Sequence, residues 1–434
     1  MIEHEEGHLN PTFRLARRLV ARGHRLAYLG LADGGDFVRR QGFEYLPILE
    51  DLFPPGTLRT LREMARTGAS PATAGQRAEI GAAAKAGPAS AYARSWRGLL
   101  DGDPGLDRAL QELRPDLVVL TSSYVPHALL LRNRYKLPVV ILTTFLRSFP
   151  KTEYVAELGR LLMYLGDAKE RFAALVAGDR PASQAELAPR VLAQVLRMRE
   201  LILCPSELEL PGQSHENEPE VHYVEPTVDV ERRSEGTFPW ESLDPSRRLL
   251  YVSLGSQSYV AGRERVAGFL RAVAEAFAGR PDWQVVLSTG AFLDPAEIPA
   301  PPGGIVTRWA PQVELLGRAA VAVTHAGLGT IKECIVCGVP LVVFPFLLQD
   351  QPENARRVAL RGLEINSQRV VQNGLGVKGD LQSFSPAAIA SLVEQADSPA
   401  IRAGMARMQK RFLEIESSGI GVRLIEELLQ RDPR

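Results

Sequence analysis

An excess of charge of one sign is missing from this chain: its 434 residues hold 51 Lys and Arg against 51 Asp and Glu. That balance gives no net attraction to nucleic acid or to an anionic membrane surface, so neither is expected as a partner. Cysteine is scarce too, and Cys204, Cys334 and Cys337 are too few for a disulfide framework. Cys334 and Cys337 form a lone CxxC in KECIVCGVP, which without a second pair makes a poor zinc site and reads as helix core. No apolar run reaches the ~18 residues a membrane helix needs, and no basic-plus-apolar leader opens the chain. The expectation is a cytoplasmic protein with no integral membrane segment. With 45% hydrophobic and 24% charged residues, it has the composition of two or three globular domains.

The opening MIEHEEGHLNP contains HEEGH, which fits the H-E-x-x-H zinc signature as a string. That site needs both histidines on one helix face. Gly7 interrupts the segment, and Asn10-Pro11 is a good helix start, Asn as cap and Pro as first residue. The spacing therefore predicts a helix PTFRLARRLVARG from Pro11, stopped by Gly23, with an apolar stripe of Phe13, Ala16, Leu19 and Val20. HEEGH becomes a loop in which the imidazoles of His4 and His8 need not meet, and no metal is expected. His8, at the mouth of a helix, is the candidate of interest.

Along the chain, short buried runs alternate with helical patterns. RLAYLGL (25–31), FEYLPIL (43–49), DLVVLT (116–121) and PVVILTT (138–144) read as strands. Residues 57–100 read as weakly patterned surface helices and 151–200 as helix, including RVLAQVLRMRELI. Composition shifts to proline and charge over 211–245, as in a linker. A second alternating series follows: RRLLYVSLGS, VAGFLRAVAEAFAG, WQVVLSTG, GIVTRWA, AAVAVTHAG and PLVVFPF. Such βα repetition implies an α/β protein of two doubly wound Rossmann-like domains facing a cleft. The boundaries expected are 1–225, a linker at 226–240, 241–415, and a C-terminal helix at 416–434 that crosses back to the first domain. NARRVALRGLE (354–364) and NSQRVVQNGLG (366–376) share N-x-x-R-V-x-x-x-G-L, a single duplication that reads as a helix extension.

Chemistry is densest in WAPQVELLGRAAVAVTHAGLGTIKECIVCGVPLVVFPFLLQDQ, residues 309–351. HAGLGT ends a strand and opens a helix, and unpaired N–H groups at a helix start suit phosphate. His325 stands beside it as a donor and Thr330 adds a hydroxyl. Trp309 offers a stacking face and Gln312 an amide for a base and ribose. Asp350 and Gln351 could grip sugar hydroxyls. Each has a plainer reading: Thr330 and Glu333 are spaced as a T-x-x-E capping box, Trp309 as core, Asp350 as a helix cap. It is their joint order that favours a nucleotide-sugar site.

This stretch resembles the donor-binding signature of nucleotide-sugar-dependent glycosyltransferases of the two-domain GT-B fold, the family that includes plant secondary-product and bacterial macrolide or carotenoid enzymes. The pattern W-x-P-Q, H-x-G-x-x-T, x-x-E, P and D-Q is present almost whole. By position, the resemblance implies that Trp309 stacks on the base and Gln312 meets the ribose. It makes His325, Gly327, Gly329 and Thr330 the diphosphate cradle, Glu333 the carboxylate for the ribose hydroxyls, and Asp350 with Gln351 the sugar-binding pair. YVSLGS (251–256) resembles the loop facing the diphosphate, which adds Ser256. GHLNP resembles the family's G-H-x-x-P, whose histidine is the general base, here His8. Asp101-Gly102-Asp103 mimics a D-x-D metal motif but lies in a polar turn and reads as surface.

Two departures stand out. The family's base histidine pairs with an Asp at the end of the strand that reads PDLVVLT here, and Thr121 occupies that position, followed by Ser122 and Ser123. Either another carboxylate serves, or His8 works alone and slower, or catalysis is lost. The family also has a buried central strand before GHLNP, where this chain has MIEHEE; without it the neighbouring strands would lack partners, at about 1–3 kcal/mol for each buried group left unsatisfied.

The reading is an inverting hexosyltransferase that moves a hexose, glucose for preference, from a nucleotide diphosphate sugar to a hydroxyl of a lipophilic natural product such as a polyketide, macrolide or carotenoid. UDP is favoured over dTDP, with no cofactor beyond that donor. The acceptor pocket is expected in the first domain, over 54–100 and 145–200, with Tyr124 and Phe145 as candidates. Rivals are an impaired homologue acting as an auxiliary partner, and a nucleotide-sugar epimerase. A monomer and a homodimer are equally compatible.

Overall fold

The computed structural model describes residues 6–51, 53–57, 99–102, 104–155, 158, 168–177, 184–230, 237–256, 258–291, 293–346 and 354–431. The chain divides into two compact units. Unit 1 comprises Met1–Cys204, His215–Thr227 and Gly419–Arg434, and unit 2 comprises Pro205–Ser214 and Val228–Ser418.

Unit 1 opens with helix α1 (Glu6–Ala21), followed by strand β1 (Ala27–Gly30), helix α2 (Gly35–Arg40) and strand β2 (Glu44–Pro47). Then come α3 (Pro104–Leu113), β3 (Val118–Thr121), α4 (Val125–Arg134), β4 (Val139–Thr143), α5 (Ala168–Ala177), α6 (Gln184–Leu196), β5 (Arg199–Ile202) and β6 (Val221–Tyr223). β3, β4, β5 and β6 form one parallel sheet in that order, and β1 pairs in parallel with β2 in a separate sheet. Among the described residues β1 bonds only to β2 and β3 only to β4.

Helix α1 starts earlier than the Asn-Pro signal suggests, at Glu6, with Pro11 inside it. Proline there removes only the bond to the Gly7 carbonyl, close to a helix end whose first N–H groups have no helical partners in any case. His8 is thus helical, not in a loop. The buried face carries Leu9, Phe13, Leu15, Ala16 and Leu19, while Val20 is 47% exposed and leaves the expected stripe. Leu15 and Leu19 pack with Val140, Leu142, Leu201 and Val224, and Phe13 packs with Tyr28 and Phe43.

RELI, expected as helix, is strand β5. Its Arg199 and Glu200 mimic a helix surface in sequence, but both are buried and paired, Arg199 with Glu220 at 2.9 Å and Glu200 with Arg147 at 3.0 Å. β6 lies inside the stretch of linker composition, where flanking prolines mask a three-residue strand.

Unit 2 runs β7 (Arg248–Ser253), α7 (Arg263–Ala278), β8 (Trp283–Ser288), β9 (Ile305–Thr307), α8 (Gln312–Leu316), β10 (Ala319–Thr324), α9 (Leu328–Cys337), β11 (Leu341–Val343), α10 (Asn354–Gln372), β12 (Gly376–Lys378), α11 (Pro386–Ala396) and α12 (Pro399–Ser418). Helix α13 (Ile420–Arg431) returns to unit 1. The unit 2 sheet is parallel, with strand order β12-β11-β10-β7-β8-β9. The chain enters at β7, runs outward to β9, then resumes at β10 on β7's other side. That reversal makes the ends of β7 and β10 a topological switch point, where open α/β sheets bind ligands. α10 carries the first copy of the short duplication and the first seven residues of the second. The protein is α/β, with parallel sheets in both units.

Candidate active site

Three loops at strand C-terminal ends build the site in unit 2. β7 runs into Leu254-Gly255-Ser256, with Gly255 at φ 76° and Ser256 exposed. β10 runs into His325-Ala326-Gly327, and α9 begins at Leu328 with Gly327 as N-cap. Gly327 supplies no side-chain cap, and the first N–H to bond back within this stretch is that of Ile331, to Gly327 O at 3.0 Å. The earlier N–H groups of α9 therefore have no helical acceptor, and with the dipole of a ten-residue helix behind them they suit an anion. The His325 ring fits between the glycines. A Cβ built at Gly255 would run into it, and one at Gly327 would lie 2.7 Å from its Nε2. Phe346 stacks on the same ring at 5.3 Å between centroids, and Thr324 Oγ1 lies 3.4 Å from Nδ1. This packing lowers the His325 pKa to about 4 by desolvation, so the imidazole is neutral at pH 7.

The third loop follows β9 and carries Trp309, 54% exposed. An indole more than half in water is a ready stacking face. Three residues on, Gln312 opens α8. Its Nε2 donates to Thr330 Oγ1 at 3.3 Å and to Glu333 Oε2, while its Oε1 accepts from Tyr251 OH at 3.0 Å. Thr330 and Glu333 do not form a capping box, because the N-cap is Gly327 and Thr330 lies inside the helix. They share one face of α9, three residues apart, and both meet Gln312 there. Gly329 is in the first turn, where a Cβ would meet nothing within 4 Å. Asp350 and Gln351 lie outside the described residues.

In unit 1, His8 is half-buried on α1, and its Nδ1 lies 2.9 Å from Thr144 Oγ1. Thr144 directly follows β4. Thr121, at the expected place on β3, is 2% exposed, and its Oγ1 has no hydrogen-bond partner among the described residues. The hydroxyl that meets His8 thus comes from the neighbouring strand. Tyr124 is half-buried, edge-on to His127 at 5.0 Å between centroids, and Phe145 follows Thr144. Most of 57–100 lies outside the described residues. Asp101 pairs with Arg171 at the surface, and Asp103 is outside the description.

The profile of the family described as UDP-glucoronosyl and UDP-glucosyl transferase matches residues 215–377. The chain is 26% identical over 442 residues to demethyllactenocin mycarosyltransferase of Streptomyces fradiae, covering 98% of this chain and 84% of that one. It is 24% identical over 380 residues to the NDP-glycosyltransferase YjiC of Bacillus subtilis (strain 168), covering 86% and 81%. Among solved structures, the glycotransferase of kitacinnamycin superposes with a TM-score of 0.65 at 25% identity, covering 97% of this chain and 96% of that one. The chain has the GT-B fold of these glycosyltransferases, and its second unit carries the stretch that matches their family.

Sequence reasoning missed two side chains here. Tyr251 is 2% exposed and donates to the Gln312 carbonyl oxygen, which turns the amide N–H groups toward Thr330 and Glu333. Its place in YVSLGS, three residues before the loop, was its only signal. Thr144 stands at the end of PVVILTT, which announces a strand but not which helix its end will face. Cys334 and Cys337 sit on α9, where burial pushes the Cys337 thiol up to about 11 and the Cys334 thiol well above its ordinary value, so neither is a thiolate at neutral pH. No described helix is long and apolar enough to cross a membrane.

Proposed function

We propose that this protein is a glycosyltransferase that moves glucose from UDP-glucose to a hydroxyl of a lipophilic natural product of the polyketide, macrolide or carotenoid kind, with inversion. The observation that carries the donor half is the Tyr251–Gln312–Glu333–Thr330 network beside the uncapped start of α9. Trp309 stacks on uracil. Gln312 and Glu333 meet the ribose hydroxyls. The diphosphate rests on the N–H groups of Gly327, Leu328, Gly329 and Thr330, with the Thr330 hydroxyl, Ser256 and neutral His325 as further donors, and the helix dipole offsets its charge without a metal. Asp350 and Gln351 take the sugar hydroxyls, a pairing that favours a fully hydroxylated hexose over a deoxysugar.

His8 is the base. With its Nδ1–H donated to Thr144 Oγ1, the Nε2 lone pair is left to accept a proton. The acceptor O–H bond breaks toward Nε2 as the oxygen bonds to the anomeric carbon. The bond from that carbon to the diphosphate breaks, and its electron pair leaves on the β-phosphate oxygen, where the α9 terminus stabilises it. Demethyllactenocin in the name of one relative and oleandomycin in that of another support a natural-product acceptor.

The test is UDP release from UDP-glucose with a mixed panel of lipophilic hydroxylated acceptors, for wild type and His8→Ala. Acceptor-dependent release that disappears in the variant is the expected result. UDP binding without turnover would replace this reading with the auxiliary-partner one. Release or epimerisation of the donor without acceptor would point to an epimerase.

A further inference from the structure

Ala326, in the middle of HAGLGT, holds φ at 72°, in the left-handed region, although it carries a Cβ. A non-glycine residue stays there only where its surroundings hold it. What holds it is Asn366 on α10, 8% exposed, whose Nδ2 donates to Ala326 O at 3.1 Å. Asn366 is fixed in turn: its Oδ1 accepts from Arg369 Nη1 at 2.9 Å, and Arg369 Nη2 donates to Glu209 Oε2 at 2.6 Å. Arg369 and Glu209 are each 2% exposed, so removing either would strand a buried charge. Glu209 lies in Pro205–Ser214, a stretch that packs with unit 2 although the residues on both sides of it belong to unit 1.

The peptide linking Ala326 to Gly327 is planar and trans, so its C=O and N–H point in opposite directions. A carbonyl turned toward Asn366 turns the Gly327 N–H away from it. We propose that Asn366 is a positioning residue for the nucleotide diphosphate, aiming the Gly327 N–H by holding the Ala326 carbonyl, with the Arg369–Glu209 pair locking Asn366 from behind. This rests on HAGLGT being the diphosphate loop. Asn366 does not touch the ligand and acts through the Ala326–Gly327 peptide alone.

Asn366→Asp tests the step, because the replacement is isosteric and keeps the acceptor for Arg369 but loses the N–H that holds Ala326. UDP affinity, measured by calorimetry, is expected to fall about tenfold. In an Ala326→Gly background the same change is expected to lower it less than about threefold, since glycine takes positive φ without a Cβ penalty. Equal losses in the two backgrounds, or no loss in either, would overturn the proposal, whereas a structural role alone would lower stability equally in both. Amide hydrogen exchange over 324–330 in the nucleotide-free protein decides the case separately from ligand binding. If wild type binds no UDP, the diphosphate reading fails. The positioning step then stands if exchange over that stretch quickens in Asn366→Asp, and falls if exchange is unchanged.

Discussion

Thr144 meets His8 through one contact of 2.9 Å, and a hydroxyl there acts differently from a carboxylate. A hydroxyl can accept from Nδ1–H or donate to a bare Nδ1, so unlike a carboxylate it does not fix the tautomer, and on the proposed reading it adds little to the stability of an imidazolium formed during transfer. Thr144→Val, nearly isosteric, is expected to lower kcat about 10-fold, the value of a hydrogen bond to a group that becomes charged, with KM for the donor unchanged. Thr144→Ser is expected to restore most of the rate. A rise in donor KM with kcat unchanged would show that Thr144 serves the fold and not the base. In the sequence, hydroxyls at both strand ends were visible, at Thr121 and at Thr144, but pairing one with His8 needs the strand positions in space. Gln312 and Glu333 were picked out by the order of a dense motif, and their side chains meet in the fold. Tyr251 was not, since a buried tyrosine in a strand looks like core until its hydroxyl finds a partner.

At the scale of elements, the loops after β7 and β10 close on one another through His325. Gly255 has φ 76°, and the ring of His325 occupies the space where its Cβ would go. Gly255→Ala is therefore strained and displaces the imidazole, and UDP affinity is expected to fall at least tenfold while the far-UV spectrum stays that of an α/β protein. Unchanged affinity in a titration would mean that His325 does not need its present place to bind nucleotide. Strands buried on both faces were readable as continuous apolar runs, which is why β3, β4, β7, β8 and β10 emerge close to their expected ends. β5 was hidden by charges that turn out to be buried and paired. β6 and β12 were hidden because their three residues sit in no longer apolar run, unlike the equally short β11 in PLVVFPF. α1 was misplaced because Asn-Pro is a start signal that tertiary packing of Leu9 overrides.

At the scale of the molecule, unit 1 is completed by the last helix of the chain. Val422 and Ile425 of α13 are 4% and 2% exposed, in one cluster with Leu15, Leu19, Val140 and Leu201. Glu225, fully buried, accepts from Gly421 N–H at 2.8 Å, and Arg199 Nη1 donates to Leu424 O at 2.9 Å. The surface contact of Arg22 with Glu426 holds that carboxyl down at about pKa 2, but an exposed ion pair adds little to stability. The weight falls on the apolar face. Ile425→Ala removes a buried side chain from the centre of this face and is expected to destabilise unit 1 by about 2–4 kcal/mol. On the proposed reading UDP binds unit 2, so it is expected to raise the stability of that unit by mass action and to mark its transition in a thermal scan. The variant is expected to lower the transition that UDP does not move, by roughly 5–12 °C, and to leave the UDP-sensitive one in place. A fall of equal size in the UDP-sensitive transition would mean that α13 supports the whole chain and not unit 1 alone, and the core formed by Leu15, Val140 and Ile425 would then not be the structure it limits.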